Sequence, residues 1–222
     1  MALESQKTKI GLDGEWSLEE LSEATKDYIQ LYGFAYSLLP NLPSARQTEV
    51  DYIYGKFPWR GGYSTVNFFN QLFHKIPPKL RPKVRRIRYA SLGFIELQEI
   101  LVVAVSVAAI VKTVCASINM AHETYRRIQK GCAEHKLTKI DITSKELEVT
   151  ERQLAFCERQ SNILAKLFGL DEQQVASIDQ KTQGNPVMKL KILLSVYRRV
   201  EPLAKKQSER KIEVTGKESD GI

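Results

Sequence analysis

The chain has 222 residues, 43% of them hydrophobic and 27% charged, a balance that supplies a core and excludes a chain disordered in bulk. Its net charge is +7, which on electrostatic grounds favours nucleic acid, an anionic membrane surface or an acidic protein as partner. The three cysteines, Cys115, Cys132 and Cys157, are odd in number and widely spaced, and the opening MALESQKTKIGLDGEW has neither an apolar core nor a small-residue cleavage pattern. Reduced thiols and a cytoplasmic location are therefore expected.

Residues 1–14 read as a flexible arm. In WSLEEL, Ser17 and Glu20 have capping-box spacing, with Trp16 and Leu21 placed as a hydrophobic staple. A helix is predicted to follow, with Leu21, Tyr28, Tyr32 and Tyr36 as its stripe, ending at Pro40 and Pro43. EVDYIY alternates and reads as a short strand over Val50, Tyr52 and Tyr54. Ser64 can cap the next helix, TVNFFNQLFHK, which stops before Pro77 and Pro78. Residues 15–78 thus form an N-terminal region of helices and an aromatic loop.

A core region of hairpin and long helices is predicted over 79–214, in one domain with 15–78. KVRRIRY and FIELQE each alternate, and Ala90 to Gly93 can join them as a hairpin. A long apolar helix follows and is expected to continue through MAHETYRRIQK to Gly131. Thr143 and Glu146 repeat the capping box, opening a helix with the stripe Leu147, Leu154, Cys157, Leu164 and Phe168 and Gly169 at its C-terminal cap. Leu170, Asp171, Gln174 and Val175 give a third start signal, for a short helix. After Gly184–Pro186 a last long helix runs over Leu190, Leu193, Leu194, Tyr197 and Val200, with Pro202 expected to kink or end it. RKIEV reads as a strand, and 215–222 as a flexible tail. The fold class is therefore α+β and helix-dominated: several amphipathic helices on a long apolar central helix, with a small antiparallel sheet.

Ile100 to Ile118 spans 19 residues with one charge, Lys112. Its ten large aliphatics favour insertion by roughly −3 to −6 kcal/mol, and a central lysine opposes it by about +2.5 to +3.5. With Ser106, Thr113 and Ser117 also opposing, the balance is near zero. Ala104, Ala108, Lys112 and Ala116 make a narrow face on which another helix can approach closely. That face and the abrupt entry from the hairpin favour a helix buried in protein, with membrane insertion of 100–118 as the alternative.

The chain contains no GxxxxGK[ST], GxGxxG or GxSxG pattern. His74, His122 and His135 are isolated, and Cys132 with His135 supplies half of a zinc set at most. No catalytic residue, cofactor, metal or small-molecule substrate is expected. Two features stand out. KLRPKVRRIRY places six cations, Lys79, Arg81, Lys83, Arg85, Arg86 and Arg88, within ten residues. On a strand Arg86 and Arg88 share a face, which suits phosphates or lipid headgroups, or simply protects a sheet edge from pairing. The second feature is that eight of the nineteen aromatics fall between Tyr52 and Phe73. Within it FPWRGGY sets Trp59 and Arg60 in a glycine loop, and both residue types are frequent binding anchors. The candidate recognition surface is thus Trp59, Arg60, Lys83, Arg85, Arg86 and Arg88. The function expected is a non-enzymatic interaction, adaptor or subunit protein that self-associates or holds a protein partner. The alternatives are a membrane-associated effector or anchor and a nucleic-acid binder using 79–89.

Overall fold

The computed structural model describes residues 4–56, 62–89, 92–137 and 150–218. Among them eight helices accompany one four-stranded antiparallel sheet, so the fold is a helix-dominated α+β arrangement. The strands are β1 (Ser5–Leu12), β2 (Lys83–Arg88), β3 (Gly93–Ile100) and β4 (Ile212–Glu218), in the order β2-β3-β1-β4. The helices are α1 (Leu18–Ser37), α2 (Ser44–Lys56), α3 (Gly62–Lys75), α4 (Leu101–Ala116), α5 (Ile118–Glu134), α6 (Glu151–Leu167), α7 (Glu172–Lys181) and α8 (Pro186–Ser208).

The stretch read as a flexible arm contains an interior strand. β1 pairs with β3 on one side and β4 on the other. SQKTKIGL alternates after all: Thr8, Ile10 and Leu12 are buried, while Lys7 and Lys9 lie on the opposite face. The expected tail is likewise corrected, since β4 runs to Glu218 and only 219–222 lie outside the described residues.

EVDYIY belongs to α2 rather than to a strand. Val50, Ile53 and Tyr54 are buried and Tyr52 is exposed, which is i, i+3, i+4 spacing. Six residues were too short a window to separate that spacing from alternation. α1 starts as expected, with Ser17 and Glu20 each bonding the other's backbone N–H. Its Tyr28, Tyr32 and Tyr36 are buried.

The apolar helix does not run on to Gly131. It ends at Ala116, and the axis turns by 90° into α5. The hydroxyls of Thr113 and Ser117 donate to the carbonyls four residues back, at 2.8 and 3.1 Å, a habit that bends helices. The chain also changes character there: α4 is apolar nearly all round, whereas α5 is amphipathic. Among the described residues no single helix is long and apolar enough to cross a membrane, and the bent pair α4–α5 passes only by length and composition. α4 buries Val103, Val107, Ile110, Val111 and Val114. One end of its small-residue face seats a strand: Gly216 of β4 lies against Ala104, Val105 and Ala108, while Lys112 and Ala116 are exposed.

The capping box of α6 is Thr150 with Gln153. Thr143, Glu146 and Leu147 lie outside the described residues. Asp171 and Gln174 cap α7 reciprocally. Pro202 does not end α8, which continues to Ser208. Val200, Leu203 and Ala204 are buried on either side of it, so packing carries the helix past the missing backbone donor.

Candidate functional site

The sheet has two different faces. Toward the helices point Ile10, Leu12, Ile95, Leu97, Ile212 and Val214, all buried. On the other face the register aligns Lys83, Gln98 and Lys7 in one row, and Arg86, Glu96 and Lys9 in the next. A third row holds Arg88, Phe94 and Gly11, with Glu213 on β4. Arg86 and Arg88 therefore share a face, as the alternation implied. Arg85 lies at a shift in register between Val84 and Arg86, and its guanidinium bonds Gln98 Oε1 at 3.0 and 3.2 Å. Lys9 Nζ sits 5.1 Å from the centre of the Phe94 ring. Six cations thus meet Glu96 and Glu213 on one open surface. Lys7 and Lys9 fall in the stretch read as an arm, although the period-two pattern of SQKTKIGL was available to place them; Phe94 falls in the strand that the alternation of FIELQE predicts.

β2 forms the edge of this sheet, and all six of its residues are exposed. No backbone hydrogen bond beyond those to β3 joins it to the other described residues. The register shift at Arg85, a β-bulge, has a specific effect. It turns Val84 and Ile87, three apart in sequence, to the same side, opposite Leu97 and Ile95. Both remain more than half exposed, at 58% and 54%. Beneath them, between the sheet and α1, lies an apolar cavity of about 160 Å³ with Leu21, Tyr28, Pro82, Val84, Ile87 and Leu97 among its walls. The remaining cations of the run are employed otherwise in part: Arg81 donates to the carbonyls of Ile76 and His74 at 2.9 and 2.7 Å, closing the C-terminus of α3.

Trp59 and Arg60 lie outside the described residues, as does Phe57. Of the aromatics around them, Tyr54, Phe68 and Phe69 are fully buried and pack edge to face. That part of the cluster is core, not recognition surface.

A second cluster is internal. Glu99, fully buried, accepts hydrogen bonds from the hydroxyls of Thr8 and Tyr28, the latter at 2.8 and 2.9 Å. The Ile100 N–H donates to Tyr32 Oη at 2.7 Å, where β3 passes directly into α4. Burial lifts the Glu99 carboxyl from 4.5 to about 6, against the pull of these hydrogen bonds. Enclosed on all sides, Glu99 reaches no external substrate and acts on stability. Its folded value lies above its unfolded one. Its contribution is therefore fully present below pH 4.5 and is lost as pH rises through 6. Glu99→Gln is expected to remove about 2 kcal/mol of that loss, measured as urea stability at pH 4.5 and pH 8. Asp27, also raised to about 6 chiefly by burial, leaves a residual pH dependence in the variant. Identical pH profiles for the two proteins would contradict the buried carboxylate.

Burial raises all three thiols, Cys132 to about 11 and Cys157 to about 12, so they are poor nucleophiles at neutral pH. His122 Nδ1 lies 3.0 Å from Glu201 on an exposed helix surface. Among the described residues no three His, Cys, Asp or Glu side chains gather as metal ligands do. Comparison with protein-family models, curated proteins and solved structures finds no match.

Proposed function

We propose that this chain is a non-enzymatic interaction protein that docks an acidic protein partner on the basic edge of its sheet. One observation carries the reading: β2 is an edge strand with every residue exposed and four cations, Lys83, Arg85, Arg86 and Arg88, along its length. Such an edge has two explanations, protection against self-pairing or a recognition strip. The continuation of positive charge onto Lys7 and Lys9 of the next but one strand favours recognition, because edge protection needs no charge there. A nucleic acid or a lipid surface would also answer the charge. Exposed Val84 and Ile87, however, gain nothing from a phosphate backbone and are buried by a protein partner.

The test is a titration of the full chain with fluorescent polyglutamate, a single-stranded oligonucleotide, and vesicles of phosphatidylglycerol in phosphatidylcholine. Polyglutamate is expected to bind best and to weaken as salt rises. The combined change Lys83→Glu, Arg86→Glu and Arg88→Glu is expected to lower its affinity at least about tenfold. Preferential binding of the oligonucleotide or the vesicles would overturn the reading, as would polyglutamate affinity that ignores the charge reversal.

A further inference from the structure

The two sides of β2 are chemically opposite. Lys83, Arg86 and Arg88 share the row positions of the solvent-side Gln98, Glu96 and Phe94, whereas Val84 and Ile87 stand opposite the buried Leu97 and Ile95. A flat membrane or a nucleic-acid backbone lies on one side of a sheet and can engage only one of these sets. A strand laid alongside β2 meets both, because its own side chains alternate between the same two sides. Resting on the proposal that β2 docks an acidic protein, we infer that the partner enters as an added β-strand in which acidic and large apolar residues alternate. Its backbone pairs with the outer edge of β2, which has no strand beside it among the described residues. Its carboxylates face Lys83, Arg86 and Arg88, and its apolar side chains cover Val84 and Ile87.

The cavity explains why the apolar side of that strand would be more than a rim contact. Its volume, about 160 Å³, matches one benzene-sized group, and Val84 and Ile87 belong to its wall. An apolar side chain reaching over β2 thus finds an apolar recess bounded by Leu21 and Tyr28 of α1. Pockets of this kind hold the anchor residues of interfaces. A second copy of this chain is a poor occupant. Pairing β2 with its own duplicate would set arginine rows beside arginine rows, and like charges across a ladder are destabilising.

The experiment uses three synthetic peptides on the intact protein: one alternating glutamate with isoleucine, the same peptide N-methylated at alternate residues, and one alternating glutamate with serine. The first should bind roughly tenfold tighter than either of the others, and should slow amide exchange across 83–88. Val84→Ser with Ile87→Ser, at positions more than half exposed, should lose this preference. Equal binding of the N-methylated peptide would overturn strand addition while leaving the acidic-partner reading intact. Equal binding of the glutamate–serine peptide would overturn the apolar anchor. Failure of polyglutamate and every peptide alike would overturn both.

Discussion

Gly216→Ala is expected to destabilise the protein by about 2–5 kcal/mol in urea titration. Gly216 has φ +57, a left-handed conformation that costs a residue with a Cβ about 1–2 kcal/mol. The larger part of the effect is contact. An added Cβ would lie 2.8 Å from Val105 Cα, 2.9 Å from the Ala104 carbonyl oxygen and 3.0 Å from Ala108 Cβ. The first two belong to the backbone of α4 and cannot rotate away. Either β4 lifts from α4 or the helix shifts, and overpacking of this kind costs about 1–3 kcal/mol or more. Gly14 is the control, with φ +70 and no atom within 4 Å of the added Cβ. Gly14→Ala therefore carries only the backbone cost. If the two variants lost equal stability, the close seat of β4 on α4 would be refuted.

Phe69→Ala should cost about 3–5 kcal/mol, the usual range for emptying a buried aromatic site. Phe69 is fully buried and meets Phe68 edge to face at 5.1 Å. It also supports a buried charge. The Arg199 guanidinium lies 3.9 Å from the ring centre, donates to Gln30 Oε1 at 2.6 Å and to the Ser195 carbonyl at 2.7 Å. Gln30 in turn donates to Asn70 at 2.9 Å. Burial draws the Arg199 pKa down to about 10, and it remains charged at neutral pH. Removing the ring leaves a cavity and also takes away the face that shelters this cation. A double-mutant cycle of Phe69→Leu with Arg199→Met isolates that second contribution. A coupling of about 1–2 kcal/mol is expected for a desolvated cation on an aromatic face. A coupling near zero would mean that the ring acts through packing alone.

Local signals were legible where one contact decides the structure. Ser17 with Glu20, and Asp171 with Gln174, announced helix starts that their reciprocal hydrogen bonds confirm. The alternation of KVRRIRY and FIELQE announced a hairpin and placed Arg86 and Arg88 on one face. Legibility failed where the deciding contact lies far along the chain. SQKTKIGL is a strand because β3 and β4 flank it, some 90 and 200 residues away at Thr8–Leu97 and Ile10–Val214. Of the candidate surface, the sequence offered the cations of β2 and, through the hairpin, Phe94, but Lys7 and Lys9 join them only through the pairing of β1 with β3.

The amino-acid order alone thus determined the helix-dominated α+β class, the capped starts of α1 and α7 and the positive charge of residues 79–89, because capping, periodicity and charge are properties of neighbouring residues. The tertiary structure decided the rest. It made β2 an edge by the strand order β2-β3-β1-β4, turned the axis by 90° after Ala116 and put Gly216 against α4. It also set Val84 and Ile87 above an apolar cavity through one bulge at Arg85. These features depend on which surfaces remain to be buried once every element has formed, a quantity that no short window of sequence contains.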